Sequence, residues 1–153
     1  MHDDLIRQLD EAVTEVFAVL LNLACEASQP LPDEMRPQQP PALTASVRFS
    51  GLLEACCCLQ MDPRSATEIT SDLTGLPAIT ITAALSADTA GELCNMIVGC
   101  WKKRQPAEGT ASQLSCPIVR RGPCHHAPPP FRENLSLRYQ VGHHRMTLHV
   151  AFN

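Results

Sequence analysis

The stretch Ser86-Ala87-Asp88-Thr89-Ala90-Gly91-Glu92-Leu93-Cys94-Asn95-Met96-Ile97-Val98-Gly99-Cys100-Trp101 decides how this chain is read. At about 100° per residue it divides into two helical faces. Ala90, Leu93, Cys94, Ile97, Cys100 and Trp101 share one side, the expected core side. Asp88, Glu92, Asn95 and Gly99 share the other, spaced i, i+4, i+7 and i+11, so they form one stripe. Lys102 and Lys103 follow close to that stripe, where positive charge suits the C-terminal end of a helix dipole. A glycine inside a helix costs about 1 kcal/mol relative to alanine. At Gly99 that cost leaves room for another surface to come close. Two acids and a carboxamide on one face are still, by themselves, compatible with an ordinary solvated surface.

Working outward, Asp62-Pro63 starts a helix with Ala66, Ile69, Leu73 and Leu76 on its apolar side. The β-branched run from Ala78 to Ala84 reads either as a short strand or as an apolar lead-in to the central helix. Upstream, 46–49 and 53–61 read as two strands joined at Ser50-Gly51. Alternation sends Cys56, Cys57 and Cys58 to opposite faces of the second strand, so they read as small buried hydrophobes and not as one metal site. Downstream, 113–120 reads as a strand in which Pro117 marks an edge or a bulge. A closing hairpin about Gly142-His143 follows, with Leu135, Leu137 and Tyr139 on one strand and Met146, Leu148 and Val150 on the other.

The chain opens with a long amphipathic pattern from Asp3 to about Cys25, whose buried face holds Leu5, Ile6, Leu9, Val13, Val16, Phe17, Leu20 and Leu21. Between it and the first strand, residues 27–42 carry Pro30, Pro32, Pro37, Pro40 and Pro41 and read as an irregular connection inside a single domain spanning 1–153. Long helices with several antiparallel strands predict an α+β fold, a two-layer α/β sandwich with its long helices on one face of the sheet.

With 44% hydrophobic and 18% charged residues the composition is that of a globular protein, and a net charge of −4 argues against nucleic acid as a ligand. No apolar run approaches the roughly 20 residues that cross a bilayer. Eight cysteines without a visible secretory signal read as reduced thiols of a cytoplasmic protein.

The segment Gly91-Glu92-Leu93-Cys94-Asn95-Met96-Ile97-Val98-Gly99 resembles the signature of the CheC/CheX family of chemotaxis response-regulator phosphatases. That signature is Asp or Ser, three residues, Glu, two residues, Asn, and it is met at Asp88, Glu92 and Asn95. The other pieces come in the family's order: the N-terminal helix, the Ser50-Gly51 hairpin, Leu114-Ser115-Cys116-Pro117-Ile118-Val119 with Gly122, and the final strand pair. Two-site relatives repeat the motif on the first helix. Here Glu11 and Glu15 have the spacing, but Ala18 stands where the asparagine belongs. That helix is therefore expected to be structural, its acids ordinary surface charge, and the chain resembles the one-motif CheX type.

The resemblance implies that the chain hydrolyses the aspartyl phosphate of a CheY-like receiver domain. Asn95 would position the attacking water and Glu92 would pair with the receiver's active-site lysine. Asp88, Gly99 and Lys102 would contribute to docking. It also implies a homodimer formed through the sheets and Mg²⁺ held by the receiver, so no cofactor or metal is assigned to this chain. An alternative is a non-catalytic adaptor for a response regulator or a flagellar-switch partner. A rival metal site would need Cys116, Cys124, His125, His126, His143 and His144 to gather, but no C-x-x-C spacing supports it. Nucleophilic catalysis by cysteine is disfavoured because Cys94 and Cys100 face the expected core.

Overall fold

The apolar side chains of residues 43–50 alternate, which gives that strand one face to bury. In the computed structural model, which describes residues 2–26, 29–30, 43–51, 53–106, 111–122 and 131–153, β2 (Leu43–Ser50) and β3 (Ala55–Met61) pair antiparallel. The closing hairpin adds β6 (Glu133–Val141) and β7 (His144–Phe152), with β7 on β3. The short β1 (Gln29–Pro30) lies on β6, and β4 (Gln113–Leu114) and β5 (Ile118–Arg121) share the outer edge of β2. The order is thus β1-β6-β7-β3-β2, with β4 and β5 as two halves of the last position.

Period-2 alternation sorts the sheet into two faces. Leu43, Ala45, Val47 and Phe49 of β2, Cys57 and Leu59 of β3, Leu137 and Tyr139 of β6, and Leu148 and Val150 of β7 are buried on the helix side. The other face is more polar. There His149 is buried between the Ser136 hydroxyl (2.8 Å) and Gln60 Oε1 (2.9 Å). Cys56 and Cys58 lie on that face and Cys57 on the helix side, all three buried, as the alternation requires.

Three helices cover the apolar face: α1 (His2–Leu20), α2 (Pro63–Thr74) and α3 (Ala83–Lys102). Together with the sheet they make the expected α+β two-layer sandwich. Asp62 caps α2 by accepting from Ser65 N at 2.8 Å, and Gly75, at φ 71°, ends it in the left-handed conformation. Thr82 caps α3 in the same way through Leu85 N (3.1 Å). The middle of α3 rests on the sheet. Its Cys94 thiol donates to the Ala45 carbonyl (3.4 Å), and Trp101 is fully buried with its ring centroid 5.1 Å from that of Phe49.

Several expectations change in detail. The first helix stops at Leu20 and not near Cys25. Asn22 takes a positive φ of 50°, which asparagine tolerates, and Cys25 bridges to Val141 instead. Leu20 and Leu76, expected on buried faces, are 38% and 45% exposed. The β-branched run before α3 is neither buried nor a strand. Pro77 begins a single 3₁₀ turn, Ala78–Thr80, held by Thr80 Oγ1 donating to the Pro77 carbonyl (2.7 Å). The expected strand over 113–120 is broken at 115–117, where Pro117 cannot donate to a ladder. Most of the proline-rich connection, 27–42, lies outside the described residues.

Candidate functional site on the central helix

The arc of α3 that packs inward is set by Ala90, Gly91, Leu93, Cys94, Ile97, Val98 and Trp101, all buried. Of the expected core residues only Cys100 departs. It is half-buried, and burial first and then the Glu15 charge raise its thiol pKa. The opposite arc carries the stripe. Asp88 and Glu92 are exposed, and Asn95, Gly99 and Lys102 are half-buried. From Asp88 to Gly99 it runs about 16 Å along the helix axis. The helix brings all five sequence-derived site residues onto one open side.

No described residue forms a hydrogen bond or ion pair with the side chains of Asp88, Glu92, Asn95 or Lys102. That sets them apart from the acids of α1. Glu15 accepts from Arg104 Nη2 at 2.6 Å and Glu11 from Arg104 Nε at 3.3 Å, while Arg104 Nη1 donates to the Cys100 carbonyl at 2.8 Å. The Glu15 hydrogen bond, offset in part by desolvation, leads in raising the Arg104 pKa. The acids at the motif-like spacing on α1 are therefore not free surface charge, as expected from sequence. They clasp α1 to the C-terminal end of α3.

One residue on the buried side of α3 escaped sequence reasoning. A Cβ on Gly91 would sit 3.1 Å from Val119 Cγ2 and 3.5 Å from Pro117 Cβ. Gly91 is the close-approach glycine within the fold, letting the break between β4 and β5 press on α3 one turn before Asn95. The same test at Gly99 finds nothing within 4 Å, so Gly99 opens outward. Only the pairing of a helix glycine with a distant proline could have signalled the first contact.

The cysteines of the core are poor nucleophiles. Burial pushes the Cys94 thiol up to about 12 and raises Cys57 well above its ordinary range. Cys56 is also raised, first by its hydrogen bond with Cys58 and then by burial. The described members of the rival metal cluster are not brought together. Cys116 is exposed at the β4–β5 break, whereas His144 is buried on β7 against Asp72 of α2 (3.2 Å). Two strands separate those positions, about 14 Å. Cys124, His125 and His126 lie outside the described residues. Among the described residues no helix is long and apolar enough to cross a membrane.

Comparison with known proteins bears on the fold and the family. A family model, chemotaxis phosphatase CheX, matches residues 43–139. The fold is similar to that of CheX from Borrelia burgdorferi in a complex with CheY, BeF₃ and Mg²⁺, with 17% identity, a TM-score of 0.75 and 97% of each chain covered. It is also similar to CheX from Desulfovibrio desulfuricans, with 17% identity, a TM-score of 0.76 and 98% and 99% of the two chains covered. Thermotoga maritima FliY shares the fold more distantly, with 14% identity, a TM-score of 0.61 and 94% and 83% covered. No curated protein sequence matches the chain. The matched segment contains the whole stripe and exceeds half of the chain, and the chain belongs to the CheX family.

Proposed function

We propose that this protein is a phosphatase that hydrolyses the aspartyl phosphate of a CheY-like receiver domain. One observation supports this reading above the rest. Glu92 and Asn95 stand on the open side of α3 without partners among the described residues, while Glu11 and Glu15, spaced as Asp88 and Glu92 are, are taken up by Arg104. An acyl phosphate is already reactive toward water. Its hydrolysis needs an in-line water and a fixed orientation more than a strong base.

Asn95 supplies the orientation. Its amide accepts from and donates to the same water, which a carboxylate cannot do. Glu92 pairs with the receiver's active-site lysine, a charge-assisted contact that sets the docking register. Asp88 and Lys102 extend the polar face to either side, and Gly99 lets the receiver's backbone come close. The Mg²⁺ of the receiver offsets charge on the phosphoryl oxygens. Under the same reading the chain works in the cytoplasm as a homodimer.

The test is the rate of phosphoryl loss from phospho-receivers, comparing the wild type with Glu92→Gln. The reading expects wild-type acceleration and a raised KM in the variant. A wild type that binds the phospho-receiver without accelerating its decay would establish the adaptor alternative. Unchanged KM and kcat in Glu92→Gln would remove Glu92 from the interface.

A further inference from the structure

A cavity of about 190 Å³ opens where the first turns of α2 and α3 meet the end of β5. It is separate from the stripe, since Ser86, which lines it, lies about 200° around α3 from Asp88. Among the described residues its polar lining includes Thr82, Ser86 and Arg121, and its apolar walls include Leu43, Ala66 and Ile81.

Two independent features make this more than a surface dent. Ser86 is only 7% exposed, yet its hydroxyl has no hydrogen-bond partner among the described residues. That hydroxyl opens into the cavity, where a ligand oxygen can take the hydrogen bond in place of water. The second feature is electrostatic. The positive ends of two helices converge here, and Thr82 satisfies only the Leu85 amide of α3 (3.1 Å), leaving the Ala83 and Ala84 amides without intrahelical acceptors. Arg121 adds a guanidinium that forms no ion pair with any described residue. The nearby acid at the start of α2, Asp62, is already engaged with the amide and hydroxyl of Ser65 (2.8 and 2.9 Å).

The volume falls below the roughly 300 Å³ at which drug-sized sites begin, so a nucleotide does not fit. A fork of guanidinium donors matches a carboxylate, and the apolar walls match a short alkyl chain. We propose that the cavity binds a small monocarboxylate, its carboxylate on Arg121 and the first turn of α3, its alkyl end against Leu43 and Ile81. The Ser86 hydroxyl donates to a carboxylate oxygen. Occupancy ties the starts of α2 and α3 to the edge strand.

Isobutyrate titrated into the ¹⁵N-labelled full chain tests this, with acetate, inorganic phosphate and sodium chloride at matched ionic strength as comparisons. The expected result is saturable amide shifts at Ala83, Ala84, Ser86 and Arg121 in the millimolar range with isobutyrate and none with chloride. Arg121→Gln should weaken binding at least tenfold, and Ser86→Ala severalfold, with the rest of the spectrum unmoved. Shifts that fail to saturate, that chloride reproduces, or that survive Arg121→Gln unchanged would overturn the site. Phosphate saturating the same amides more tightly than isobutyrate would overturn the carboxylate assignment.

Discussion

Replacing each helix glycine of α3 by alanine separates packing from docking. Alanine removes the backbone penalty of glycine, about 0.5–1 kcal/mol in a helix interior. At Gly99 the new methyl meets nothing within 4 Å, so the whole gain should appear as stability. For a domain of this size that is roughly 2–4 °C in Tm per kcal/mol. At Gly91 the methyl is forced to 3.1 Å from Val119 Cγ2, and overpacking of that kind costs about 1–3 kcal/mol, enough to cancel or reverse the gain. The two variants should therefore differ by about 1–3 kcal/mol although the substitution is the same. Urea denaturation followed by fluorescence measures this directly, because Trp101 is the sole tryptophan and is fully buried. The stabilised Gly99→Ala protein should also bind the phospho-receiver more weakly, with KM raised and kcat retained, since its methyl projects from the docking face. Equal stability of the two variants would refute the packing argument. A Gly99→Ala protein with unchanged KM would remove that glycine from the docking face.

Other consequences follow from individual contacts. Asp62→Ala removes the cap of α2 and should cost about 1 kcal/mol in denaturant unfolding. Arg104→Ala breaks the pairs with Glu11 and Glu15 and should cost about 0.5–1 kcal/mol at low salt and less in 1 M salt, because these charges are partly open to solvent. Stability should fall with rising pH above about pH 9. Cys94 and Cys25 stay protonated in the native state up to about 12 and about 11, whereas in the unfolded chain they ionise near the ordinary thiol value of about 9.0. Cys94→Ala should flatten that slope, and denaturant midpoints between pH 8 and 10.5 would show it. Thiol labelling of the native protein, mapped by mass spectrometry, should modify exposed Cys116 quickly and buried Cys57 and Cys94 only as fast as the chain unfolds.

What could be read from the amino-acid order was periodic. The stripe on α3 and the alternation of β6 and β7 depend on neighbours two to four residues apart, so local spacing exposes them. The N-terminus of α2 was legible for a similar reason, since Asp62-Pro63 is a local signal. What stayed hidden depends on partners far along the chain. Glu11 and Glu15 share the spacing of a site, and only Arg104, about ninety residues away, makes them structural. Gly91 looked like any small residue until Pro117 and Val119 were found beside it. The Ala78–Ala84 segment misleads for another reason. Its β-branched residues have strand propensity, but it is short and follows Pro77, and no strand among the described residues pairs with it.

The central claim concerns one carboxamide. The most direct measurement is the rate at which saturating wild-type and Asn95→Ala protein remove phosphate from the phosphorylated receiver, with receiver affinity measured alongside. The account predicts that the variant binds within a few-fold of wild type but loses about 100-fold or more of kcat, the scale of a lost orienting group in an active site. Turnover by Asn95→Ala at the wild-type rate would contradict it.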